Sequence, residues 1–233
     1  MKSIIFTLAL FSCGEAEQVK ESVDKTVYVG NNEKESNNTE KIEAGNNQKI
    51  EKTAQLICEN ENNTAIYDRD SWGNWSTKGD LQNVRHQVLL EESLESGECE
   101  GESLVIQDEK VLFGCWVDVY SNEIYKDSSD LDIDHLVPLK EAFISGAYNW
   151  TKEKKKEYYN YMIDKNHLIA VSSTLNRSKG SKDVKEWLPI TNIERYIKNW
   201  IDVKFRWNLS IDPKELEILK EYSNDPRLPN NCN

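Results

Sequence analysis

Several signatures are missing from this chain of 233 residues, which carries only three histidines and five prolines. No Cys-x-x-Cys occurs, which argues against a zinc knuckle. There is no internal repeat, no Gly-rich phosphate loop and no nucleophile elbow, so solenoid, Walker-type and α/β-hydrolase readings fall away. The apolar run at residues 4–11 is too short to span a bilayer. Positive charge is scarce: 29 Lys and Arg stand against 41 Asp and Glu, a net charge of −12. That balance argues against indiscriminate coating of nucleic acid.

What is present begins with Met1-Lys2, the short apolar run and then Ser12-Cys13-Gly14, a secretory signal pattern over residues 1–13. Leu10-Phe11-Ser12-Cys13 also resembles a bacterial lipoprotein cleavage box, in which Cys13 would carry a lipid; plain secretion is the alternative. Residues 14–55 are rich in Glu, Lys, Asn and Gln and bury too little apolar surface to offset the entropy of ordering them. They read as a disordered tether, and residues 56–233 as the globular domain. Cys58, Cys99, Cys115 and Cys232 remain, an even number that suggests two disulfides in an exported chain. Of the three possible connectivities, Cys99–Cys115 with Cys58–Cys232 is favoured, the second joining the ends of the domain.

Periodicity predicts a helix capped by Asp80 and running through Leu90, with Arg85 among its apolar positions. That arginine reads equally as a buried structural partner or a phosphate clamp. Strands are expected at 104–106, 111–120 and 131–136, then a helix from Pro138 that Gly146 stops. A lysine-heavy helix at 150–162, a short strand at 168–171 and a helix capped by Ser173 follow. Ile193, Ile197, Trp200, Ile201 and Phe205 make a core-facing helical stripe. Asp212-Pro213-Lys214-Glu215 reads as a cap, a first-turn proline and a capping-box acid opening a last helix.

Chemistry concentrates between residues 130 and 182. Asp130-Leu131-Asp132-Ile133-Asp134-His135-Leu136-Val137-Pro138 ends an apolar strand on a carboxylate and an imidazole. Some forty residues later Leu175-Asn176-Arg177-Ser178-Lys179-Gly180 supplies an amide among cations. Charge is sorted here too: residues 118–134 hold six acids and one lysine, and residues 141–182 hold eight Lys or Arg against four acids. Hydrolysing a phosphodiester needs a base, a way to neutralise phosphate charge and a stabilised leaving oxygen. Histidine titrates near neutrality, and Mg²⁺ accepts one carboxylate and one amide oxygen while keeping several waters. Neighbours on an ideal strand face opposite ways, so Asp134 and His135 share a site only if the strand ends there.

Asp-Ile-Asp-His-Leu-Val-Pro-Leu, Leu-Ile-Ala-Val-Ser and Leu-Asn-Arg-Ser-Lys-Gly together resemble the HNH (His-Me finger, ββα-metal) endonucleases, in particular their secreted bacterial branch. Tyr67-Asp68-Arg69, Trp72-Gly73, Ser145-Gly146-Ala147 and Glu186-Trp187-Leu188-Pro189 extend the likeness over roughly residues 66–222. It implies an α+β fold: a ββα-metal core embedded in a mostly helical domain with a few short antiparallel strands. It implies His135 as general base, Asp134 and Asn176 as ligands of one divalent metal, and His167 or Asn166 as braces of the metal loop. Mg²⁺ is the metal implied, with Mn²⁺ or Ca²⁺ as alternatives. Arg177, Lys179, Lys182 and Arg85 are the expected phosphate contacts. The chain departs from the pattern at Leu81, where a cysteine is expected, at Gln87, where an acid is usual, and at Val184, a frequent proline.

The expectation is therefore a secreted or surface-anchored phosphodiester hydrolase acting on nucleic acid, DNA ahead of RNA, with no obligate protein partner. A non-catalytic nucleic-acid-binding module of the same fold and a nuclease toxin effector are the rival readings.

Overall fold

The computed structural model describes residues 55–58, 64–77, 79–95 and 104–232. The expected leader, Cys13, nearly all of the tether, and Cys99 lie outside them.

Among the described residues, helices are mixed with short strands that form three small sheets. Strand β1 (Ile57–Cys58) pairs with β7 (Ser210–Ile211) in parallel, so the expectation of antiparallel pairing alone does not hold. Strands β2 (Val105–Gln107), β3 (Lys110–Val117) and β4 (Ile124–Asp127) form an antiparallel sheet, and β5 (Leu131–His135) and β6 (Leu168–Ser172) form an antiparallel ribbon. Six α-helices surround them: α1 (Val84–Glu95), α2 (Leu139–Ile144), α3 (Lys152–Tyr159), α4 (Ser173–Lys179), α5 (Ile193–Trp207) and α6 (Pro213–Tyr222).

Strand alternation explains why the ribbon lies between two cores. Leu131, Ile133, Leu168 and Ala170 join α1 and Trp116 in one, whereas Ile169 and Val171 join α2, α5 and α6 in the other. The unpaired edge of β6 is covered by Glu92, whose two carboxylate oxygens accept from Ala170 N at 3.1 and 3.0 Å. Leu81, where the family resemblance leads one to expect cysteine, fills the first core, and Val184 is wholly buried in the second.

The two-residue turn between β2 and β3, Asp108-Glu109, has φ of 49° and 63°. Positive φ at both central residues suits a right-twisted hairpin, yet an L-residue in the left-handed region costs about 1 kcal/mol. Glu109→Gly should therefore raise stability by about 0.5–1 kcal/mol, read as a shift of the urea midpoint with unchanged slope. A lower midpoint would mean that the Glu109 side chain contributes more than its backbone strain removes.

The last helix opens as its sequence suggests. Asp212 accepts from Lys214 N and Glu215 N, and Glu215 returns a bond to the Asp212 backbone, completing the capping box around Pro213. Cys58 and Cys232 are joined by a disulfide across 174 residues, as expected. Cys115 is also disulfide-bonded.

Beneath α5 lies a feature that its apolar stripe conceals. Lys204 is 0% exposed and its Nζ donates to Glu141 Oε1 (2.7 Å), Glu215 Oε2 (2.7 Å), Ser145 Oγ (2.9 Å) and the Ser210 carbonyl (2.9 Å). One ammonium thus joins α2, α5, β7 and α6.

Candidate active site

Strand β5 continues in register through His135, which pairs with Leu168. Consequently Asp134 and His135 leave the ribbon on opposite faces. The helix α4 begins at once after β6, capped by Ser172 Oγ accepting from Leu175 N (3.4 Å) rather than by Ser173. Its side chains meet the face of β5 that carries Asp132 and Asp134.

On that face Asn176 Nδ2 donates to Asp132 Oδ2 (3.1 Å), and both residues are half-buried. Asp134, the expected partner of Asn176, is engaged elsewhere: its Oδ2 accepts from Lys179 Nζ (2.7 Å) and Tyr120 OH (2.6 Å). The structure corrects the expectation for Lys179. At 0% exposure it cannot reach a polyanion; it donates inward to Asp134 and to the His135 carbonyl (3.0 Å). Burial pulls its ammonium below the ordinary lysine range and Asp134 opposes that pull. Tyr120, 1% exposed, is pushed well above the usual phenol range by burial and then by Asp134, so it is a proton donor to that carboxylate.

His135 turns the other way. Trp75 stacks on its ring at 5.5 Å and 4°, and Tyr159 packs at 4.9 Å. The Tyr159 carbonyl accepts from His135 Nε2 at 3.0 Å, which assigns the proton of the neutral ring to Nε2 and leaves the lone pair on Nδ1. Burial, then His167, Arg69 and Lys179, drive its pKa well below 6.5, against the Tyr159 bond. Asn160, next to Tyr159, fixes Trp75 by accepting from Ser76 N (2.7 Å) and donating to the Asn74 carbonyl (3.3 Å). Arg69, exposed, donates to Tyr159 OH (3.0 Å) with its guanidinium over that ring at 4.8 Å.

His167 and Asn166, the braces that the resemblance implies, lie in the turn leading into β6. His167 is 1% exposed with Nε2 donating to the Tyr158 carbonyl (2.8 Å), and burial lowers its pKa to about 4. Asn166 donates to Asp164 and accepts from Asn199 Nδ2 (3.0 Å), holding the turn before β6. Arg85 takes the structural of its two readings: Nη2 donates to the carbonyls of Ser128 (2.9 Å) and Leu131 (3.0 Å). Burial lowers its pKa while nearby Asp132 raises it. Arg177 and Lys182 are exposed, Lys182 donating to the Ser178 carbonyl (2.7 Å). Gln87, where an acid is usual, donates to Glu91 Oε1 along α1 (2.8 Å).

Asp132 and Arg69 join the candidate site in the structure, beyond the residues that the sequence motifs single out. Asp132 had a usable signal, since it stands two places before Asp134 and must share its face. For a hard divalent cation the donor chemistry fits: Asp132 offers carboxylate oxygens and Asn176 an amide whose Oδ1 can replace Nδ2 by a half-turn about χ2. Among the described residues no group of three His, Cys, Asp or Glu is arranged around a metal position; a carboxylate–amide pair lies below that number.

No protein-family model and no solved structure matches the chain. An uncharacterized secreted protein of Arthroderma benhamiae is 31% identical over 163 residues, covering 68% of this chain and 74% of that protein. At that identity and coverage, this chain belongs to the same family as the fungal secreted protein.

Proposed function

We propose that the protein is a secreted, divalent-metal-dependent endonuclease that hydrolyses phosphodiester bonds of DNA with little sequence preference. One observation supports this above the others. The β5–β6 ribbon runs directly into α4, which sets Asn176 against a strand carboxylate, in the order that the HNH resemblance implies. Secretion is supported by the leader-like residues 1–13 and by the description of the fungal relative.

His135, kept neutral by burial, would accept the proton of the attacking water at Nδ1 while the Tyr159 carbonyl holds its Nε2–H. Asp132 and Asn176, with Asp134 two residues along on the same face, would hold the cation (Mg²⁺ ahead of Mn²⁺ or Ca²⁺), whose contribution would be charge neutralisation at phosphorus and the departing oxygen. Arg177 and Lys182, exposed at the end of α4, and Arg69 beside His135 would meet backbone phosphates.

Two observations favour a second reading, a nucleic-acid-binding module without catalysis. Lys179 already neutralises Asp134, and His135 turns away from that carboxylate. Incubating plasmid DNA and RNA with Mg²⁺, Mn²⁺ or EDTA separates the two. The nuclease reading expects metal-dependent nicking that EDTA abolishes. Binding without cleavage in all three conditions favours the second, and neither binding nor cleavage overturns both.

A further inference from the structure

A cavity of about 520 Å³ opens behind the motif strand, between α5, the 117–122 turn and the 165–169 segment, away from His135. Its size falls within the usual range of small-molecule sites, about 300–1,000 Å³. Its polar lining is unusual in kind: four side-chain amides, Asn122, Asn166, Asn192 and Asn199, with Lys165 and Arg195. The amides bridge in pairs. Asn192 Nδ2 donates to Asn122 Oδ1 (2.9 Å) and to the Val119 carbonyl (2.9 Å), and Asn199 Nδ2 donates to Asn166 Oδ1 (3.0 Å).

Those bonds leave the Oδ1 of Asn192 and Asn199 as acceptors and the Nδ2 of Asn122 as a donor, without partners among the described residues. A mixed edge of this kind matches the alternating donors and acceptors of a nucleobase, each amide supplying one of them. The rest of the wall is Val117, Val119, Leu136, Ile169 and the two tyrosines, with one carboxylate, Glu92, which accepts from Ala170 N at the edge of β6. Arg195 is exposed with no carboxylate partner among the described residues, so it is available to an anion. A sugar is commonly held against an open aromatic face, whereas Tyr120 and Tyr196 here are only 1% and 4% exposed.

We infer that this cavity binds a nucleotide unit, a heterocyclic base carrying a phosphate, with the amides on the base and Arg195 on the phosphate. It is a second site, distinct from the His135 face, and it does not depend on the nuclease reading. It abuts the motif from behind: Tyr120 lines it and donates to Asp134, and Leu136 follows His135 in the chain. The unit has two sources, a free mononucleotide or the end of a strand.

Isothermal titration of the full chain in EDTA, where metal-dependent cleavage is absent, tests this with deoxynucleoside 5′-monophosphates, the matching nucleosides, inorganic phosphate and a short single-stranded oligonucleotide. At least one mononucleotide should bind with a Kd on the order of 0.1 mM, and its nucleoside and phosphate about tenfold more weakly. Arg195→Gln should reduce the mononucleotide to the level of its nucleoside, and Asn199→Leu should weaken nucleotide and nucleoside alike. Tighter binding of the oligonucleotide, with the same dependence on Arg195, assigns a strand end; preference for the mononucleotide assigns the free ligand. Absence of binding at about 5 mM mononucleotide, or affinities that both substitutions leave unchanged, overturns the site. Because no cleavage enters the readout, failure here leaves the nuclease proposal standing, and an inactive enzyme leaves this site standing.

Discussion

Lys204→Met should destabilise the fold by about 3–5 kcal/mol, the cost of breaking a buried charge cluster by removing one partner. Lys204 is 0% exposed, and its carboxylate partners Glu141 and Glu215 are 5% and 1% exposed. Burial alone would lower the lysine pKa, but Glu141 and Glu215 together outweigh it and hold Lys204 above its usual range. Glu215 is itself pushed up to about 7 by burial, against the pull of Lys204. Methionine keeps the length and apolar volume of the stem, so the loss measured is that of the ammonium, not of packing.

Without the ammonium, two carboxylates face each other in a dry site, and Glu215, already raised by burial, takes up a proton still more readily when folded than when unfolded. A carboxylate raised in the folded state contributes stability that is present below its unfolded pKa and lost as pH rises through the folded value. The variant should therefore be closer to wild type at pH 5 than at pH 8, by urea denaturation at both. Replacing Glu141 and Glu215 by Gln in the Lys204→Met background should recover more than independent effects would predict, since the three act as one unit. A loss below about 1 kcal/mol at pH 8, the level of an exposed pair, would show that the cluster is not coupled to folding.

How far the sequence could be read follows from which interactions are local. The capping box at Asp212 and Glu215 lies within four residues, and its reading holds. The ribbon was legible as well, because alternation from Leu131 to His135 needs no distant partner. The start of α1 was misplaced at Asp80. Gln82 N donates to the Glu109 carbonyl (2.9 Å), which ties the chain to the β2–β3 turn before it can become helical, and Asn83 caps instead, its Oδ1 accepting from His86 N (3.4 Å). Propensity yields there to a tertiary bond. Lys179 departs from its expected role for the same reason. Like Lys204, it sits in sequence where a solvated cation is the ordinary expectation, and only the fold brings Asp134 to the one and Glu141 and Glu215 to the other. Lys154 and Lys155 of the lysine-heavy helix lie over the rings of Trp150, Trp72 and Phe143, contacts that only the fold creates for Trp72 and Phe143.

For the proposed hydrolysis, His135→Ala should lower the cleavage rate by roughly two to four orders of magnitude, the range for removing a positioned general base. Its pH profile tests the assignment further than the loss alone. Burial holds the His135 pKa well below 6.5, so the neutral ring persists to lower pH than for an exposed histidine. A base must be unprotonated to act, so the rate should be flat from pH 6.5 upward and fall on the acid side. Trp75 covers one face of the ring. Trp75→Leu opens that face to water, relieves part of the desolvation and should move the acid limb up toward 6.5. His167→Gln removes a second contribution to the low His135 pKa. Its ring also braces the Tyr158 carbonyl from a site 1% exposed, so it should lower Tm and move the acid limb in the same direction. Cleavage by His135→Ala at near wild-type rates would remove His135 from the mechanism. Near wild-type cleavage by His135→Ala together with a loss of roughly two orders of magnitude or more in His167→Gln would transfer the role of base to His167.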